Sequence, residues 1–124
     1  MEFRILPGRY SLVRLEPDAD PSSFLNLTGF VSLTRTATEV SVLCQEAAIP
    51  PDLEVSRGWL GIELVGPLDL SLKGVLLSFL DPLAKADVNI LAISTYDTDT
   101  IFVPEALLET AIGALQGAKH RLVA

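Results

Sequence analysis

The chain has 124 residues, 49% of them apolar and 20% charged, enough for a packed core in one compact domain or two small modules, and unlike the composition of a disordered chain. A net charge of −7, with basic residues such as Arg4, Arg9, Arg14, Arg35 and Arg57 scattered singly, excludes the clustered Lys and Arg that a nucleic-acid partner requires for counterion release. Cys44 is the one cysteine and cannot form an internal disulfide. No stretch is long enough to span a bilayer, and Met1-Glu2-Phe3-Arg4 does not open like a secretory leader, so a cytoplasmic protein with no membrane partner is expected.

Residues 9–15, RYSLVRL, alternate with Tyr10 and Leu12 toward one side and predict a strand, after a short apolar lead-in that ends at Pro7-Gly8. The segment 16–23, EPDADPSS, is rich in turn formers, and Phe24, Leu25 and Leu27 leave room for about one helical turn before Gly29. Residues 30–46, FVSLTRTATEVSVLCQE, read as a hairpin around the polar stretch from Thr34 to Glu39, with one buried face. Cys44 keeps step with Val40 and Val42 and has no histidine near it, which makes it a small buried residue and not a nucleophile. Ile49-Pro50-Pro51-Asp52 stops any strand. That break divides the chain into an N-terminal module, 1–56, and a C-terminal one, 57–124.

The second half has the cleaner pattern. WLGIELV (59–65) is a strand, and a helix is predicted from an N-cap at Ser71 to about Ala86, with Leu72, Val75, Leu76, Phe79, Leu80 and Leu83 at helical spacing and a bend at Pro82. VNILAIST (88–95) is nearly all apolar, as a central strand buried on both faces would be, and YDTD leads into the strand TIFV. Pro104 suits a first helical position, Leu107, Leu108, Ala111, Ile112 and Leu115 form the stripe of a second helix ending near Gly117, and KHRLV adds a last strand. Strand, helix, strand, strand, helix, strand is the βαββαβ order of an α+β, ferredoxin-like fold. Sliding the chain by 60 residues lays Val31, Leu33, Val42 and Leu43 over Leu91, Ile93, Phe102 and Val103, and Glu39 over Asp99, which suggests two modules in tandem, the first degenerate because it lacks both long helices.

From Lys73-Gly74-Val75 through DPLAKADVNILAISTYDTDTIFVPEALLETAI the chain resembles the ACT domains of the CASTOR type, the cytosolic arginine sensors, and the small microbial ACT proteins related to them. The most specific piece is ISTYDTDTIFVPE, residues 93–105; MEFRIL and FVSLT match more weakly. The resemblance implies a non-catalytic regulatory protein that binds a free amino acid at a junction of ACT modules. It also implies ligand contacts from Gly74 at the start of the first helix, from Asn89 and Ile90 at the start of the next strand, and from Asp99, which closes the STxxxD turn. The sensors carry a glutamate where this chain has Leu72, so arginine does not carry over as the ligand. They are also longer, with four modules, so a homodimer is expected to complete a comparable site.

The chemistry agrees with that reading. An amino acid needs donors for its carboxylate, which a helix start offers, and acceptors for its ammonium, which Asp99 and Asn89 offer. Each residue also has a plainer role: Asp97 and Asp99 as turn formers, Asn89 as partner of an edge backbone group, Gly74 as a close-packing position, Trp59 as core or interface. Two carboxylates are too few for a metal, and no cofactor motif is present. His120 is the sole imidazole, with no oxyanion motif beside Ser94, Thr95 or Tyr96, so the protein is expected not to be an enzyme. The alternative is a protein-interaction or dimerisation module without a ligand.

Overall fold

The computed structural model describes residues 1–124, with the side chain of Ala48 outside the description. Among the described residues the strands are β1 Glu2–Ile5, β2 Tyr10–Leu15, β3 Ser32–Arg35, β4 Val40–Gln45, β5 Glu54–Leu64, β6 Leu91–Ser94, β7 Asp99–Pro104 and β8 Arg121–Leu122; the α-helices are α1 Val75–Lys85 and α2 Leu108–Gly117. They form two compact units, one of Gly8–Trp59 and one of Met1–Pro7 with Leu60–Ala124. Strand β5 contributes to both, so the expected division after residue 56 falls inside it.

In the unit Gly8–Trp59 the strand order is β3-β4-β2-β5, antiparallel throughout. Val40, Val42 and Cys44 are fully buried and pack with Val13, Phe24 and Ile49, but Leu43 between them is buried as well, so β4 is covered on both faces there and not on the one face expected. In β2 the buried residues are Tyr10, Ser11 and Val13, whereas Leu12 is only half-buried: the pairing with β5 shifts between Tyr10 and Leu12, and that bulge breaks the two-residue period. The only helical pieces described here are 3-10 turns at Ser22–Asn26 and Glu46–Ala48.

In the unit that holds residues 60–124, the order is β8-β1-β5-β7-β6. Phe3 of β1 stands opposite Leu64 of antiparallel β5 and opposite Leu122 of parallel β8. Phe3, Ile62, Leu64, Ile101 and Val103 from the strands meet Phe79 and Leu83 of α1 and Ala111 and Leu115 of α2 in one core, so both helices cover the same sheet face. Between Ile101 and Val103, Phe102 points the other way, over Gly61, where a Cβ would lie 3.0 Å from the Phe102 ring and 2.8 Å from Leu6. From β5 to β8 this is the ferredoxin-like βαββαβ order of an α+β fold, with β1 added between β5 and β8.

Three local expectations change. Helix α1 begins at Val75, not after Ser71, because Gly74 has φ +76°, a left-handed conformation that cannot continue into a right-handed turn. Strand β6 is four residues long, alternates half-buried with exposed, and among the described residues pairs with β7 alone, so it is an edge strand and not a central one. The two hairpins match at 59 residues, not 60. Arg35 faces Val40 and Ser94 faces Asp99 across four-residue turns, each closed by a threonine amide to a carbonyl three residues on, Thr36 to Glu39 at 2.9 Å and Thr95 to Thr98 at 2.8 Å. Asp99 therefore corresponds to Val40, not to Glu39.

Candidate functional site

A cavity of about 350 Å³ lies where the loop from Leu68 to Leu72, the first turn of α1 and the turn from Ser94 to Asp99 come together. All of its lining belongs to the unit containing residues 60–124. The loop is pinned to the hairpin: the Leu68 amide donates to the Asp97 carbonyl at 2.6 Å, the Thr98 hydroxyl donates to the Leu64 carbonyl at 2.7 Å, and Gly66 runs so near Asp97 that a Cβ would stand 2.9 Å from its carbonyl oxygen. Further on, the Asp69 carboxylate accepts hydrogen bonds from the Ser71 amide at 2.9 Å and hydroxyl at 2.8 Å, and these hold its pKa below the ordinary carboxylate value. Ser71, expected as the helix cap, thus belongs to an Asx turn before the helix.

Gly74 opens α1 with no side-chain cap. The first intrahelical bond runs from the Ser78 amide to the Gly74 carbonyl at 3.0 Å, so the amides of Val75, Leu76 and Leu77 have no intrahelical acceptor and face outward at the positive end of the helix dipole. Across the cavity, Asp99 is half-buried at the first position of β7 and Asp97 is exposed in the turn. Neither carboxylate is engaged by another described group. No Lys, Arg or His is part of the lining.

Of the four residues singled out in the sequence, Gly74 and Asp99 both line this cavity. Asn89 and Ile90 precede β6 and do not line it; Asn89 is exposed and Ile90 packs against the core. What sequence reasoning missed is the leucine wall, Leu68, Leu70 and Leu72 with Leu76 and Leu77 from the helix. Its trace was visible as the alternation in Leu68-Asp69-Leu70-Ser71-Leu72, which lies in a segment read as loop and helix start. A larger, open groove of about 850 Å³ runs between α1 and α2, but its charged residues, Asp81 and Lys85, pair with each other at 2.9 Å. Among the described residues no three of His, Cys, Asp and Glu gather as a metal ion would require, and no helix is long and apolar enough to cross a membrane.

A sequence model of the ACT domain family matches residues 54–117, and a second model, described as an N-terminal domain, matches residues 8–52. No curated protein matches the chain. Among solved structures, an Agobacterium tumefaciens protein is 34% identical over 98% of this chain and 91% of its own, with a TM-score of 0.92. A Vibrio cholerae protein, described as of unknown function and a possible transport protein, is 22% identical over 94% of this chain and 88% of its own, with a TM-score of 0.77. The regulatory subunit of aspartate kinase from Thermus thermophilus, in a ligand-free form, shares the fold at 12% identity, with a TM-score of 0.64 over 90% of this chain and 93% of that one.

Proposed function

Because the chain belongs to the ACT domain family, we propose that it is a non-catalytic regulatory protein of the cytoplasm, built of two ACT-like modules, that binds a free amino acid in the cavity at the start of α1 and works as a homodimer. The observation that carries this reading is the meeting of Gly74 and Asp99 across one cavity. The outward amides of α1 suit the ligand's carboxylate, and the Asp99 carboxylate suits its ammonium. The internal comparison of the two hairpins adds support: Asp99 stands where the first hairpin has Val40, a fully buried core residue, so the hairpin itself does not call for a carboxylate there. That the same fold serves as the regulatory subunit of aspartate kinase, and that the sequence resembles the CASTOR type, fits a sensor in which ligand binding favours one packing of modules.

Thermal unfolding with each natural amino acid at millimolar concentration tests the proposal. A ligand at one hundred times its Kd adds about 2.7 kcal/mol of stability, a rise of several degrees for a chain of this size. Asp99→Asn is expected to remove that rise without lowering the unliganded Tm; a rise that survives the substitution places the ligand elsewhere. A second reading, a pairing module without ligand, draws on the exposure of Leu70 (70%) and Tyr96 (82%) at the cavity mouth. It predicts dimers by light scattering and no response to any amino acid.

A further inference from the structure

We infer that the ligand of this cavity is an amino acid with an uncharged apolar side chain of about leucine or methionine size, and that Leu72 sets that preference. The inference rests on the amino-acid reading above and narrows it to a chemical class.

The cavity has two unlike walls. On the hairpin side are Ser94, Thr95, Tyr96 and Thr98 with Asp97 and Asp99, polar but for the exposed Tyr96 ring. On the loop and helix side, the side chains of Leu68, Leu70, Leu72, Val75, Leu76 and Leu77 are all hydrocarbon, beside the free amides that open α1. Asp69 interrupts that wall in sequence, but its carboxylate is taken up by the amide and hydroxyl of Ser71. An α-ammonium held at Asp99 therefore leaves the rest of the ligand to lie along leucines.

Charge decides between side-chain classes. Aspartate or glutamate would add a side-chain carboxylate, beyond its α-carboxylate, to a lining that already holds three aspartates and no basic residue. Lysine or arginine would lose hydration of its second cation along the leucine wall, with only the exposed Asp97 carboxylate of the hairpin left to offset that loss. An apolar side chain meets neither penalty. It also covers Leu70, Leu72 and Leu77, which are 70%, 54% and 65% exposed, and each methylene so buried strengthens binding by roughly fourfold. Leu72 follows the Asx turn immediately, and its amide is tied to the Asp69 carbonyl at 3.0 Å, so its backbone is fixed while its side chain stays exposed.

Titration calorimetry with L-leucine, L-methionine, L-glutamine, L-arginine and L-glutamate, on the wild-type chain and on Leu72→Gln, tests this. The expected result is leucine and methionine bound at least tenfold more tightly than glutamine, arginine or glutamate, and a leucine-to-glutamine ratio that falls at least fivefold in Leu72→Gln. A ratio is insensitive to a general loss of binding, and an unchanged Tm for unliganded Leu72→Gln shows that the fold survives. Tighter binding of a charged amino acid would overturn the inference and leave the amino-acid reading in place; an unchanged ratio would overturn the role of Leu72. Binding of none of the five by the wild-type chain would overturn both.

Discussion

Pro82 has no amide hydrogen, so the Ser78 carbonyl four residues before it loses the partner that a continuous helix would supply. His120 takes that place. Its Nε2 lies 2.8 Å from the Ser78 oxygen, and its ring stacks on Phe79 with centroids 3.8 Å apart and planes 23° apart. A carbonyl can only accept, so Nε2 carries the proton, and the buried Nδ1 has no partner among the described residues. The chain's single histidine therefore serves as a structural donor to the broken turn of α1. The same geometry makes a prediction: Pro82→Ala restores an amide aimed at Ser78, so His120→Phe, which keeps the stacking and removes the donor, should cost less in that background. In a double-mutant cycle read by urea unfolding the coupling should be about 1 kcal/mol; strict additivity would mean that the two groups do not share the carbonyl. Local pattern announced Cys44 correctly, since a thiol in step with Val40 and Val42 is fully buried and burial pushes its pKa up. His120 carried no such signal, because its partner lies 42 residues away.

At the scale of elements, the start of α1 is where sequence pattern and structure part most instructively. Helical spacing of leucines begins at Leu72, and Ser71 is a good cap, so periodicity places the helix three residues early. What overrides it is the left-handed Gly74 together with the Asx turn at Asp69, both invisible to a hydrophobic pattern. Because of that delay Leu72 stays outside the helix and joins Leu70 in the cavity wall. Gly74→Ala isolates the backbone contribution, since no atom lies within 4 Å of a Cβ built there. Its cost should be the left-handed penalty alone, about 1–2 kcal/mol, seen as a lower urea midpoint at unchanged slope. A larger loss with a changed slope would mean that the loop or helix had rearranged. The turn that carries Asp99 was legible throughout, because STYDTD holds both the turn formers and the first residue of β7. Ile90 depended on family likeness and Asn89 on that likeness and its polar side chain, and the cavity forms without either.

For the whole molecule, the class and the order of elements from β5 to β8 were legible because each element is set by neighbours in sequence. The place of β1 was not, since it pairs with β5 and β8 at the far end of the chain, and no local period encodes such a partner. A division into residues 1–56 and 57–124 would strip the second unit of β1 and of Phe3, which is fully buried and meets Phe79 edge-on at 6.2 Å. If β1 is integral to that unit, Phe3→Ala should cost about 3–5 kcal/mol and lower Tm by roughly 10 °C or more. Removal of residues 1–7 should do worse, leaving β8 without the neighbour to which the Arg121 amide and the Arg121 guanidinium both attach, through the Met1 carbonyl at 2.9 Å and the Glu2 carboxylate. Scanning calorimetry of a 57–124 fragment then separates the two divisions. No cooperative transition is expected from the fragment alone, because its core would lack one aromatic and one strand; a sharp transition near that of the full chain would show that residues 57–124 are a self-sufficient module and that β1 only decorates its sheet.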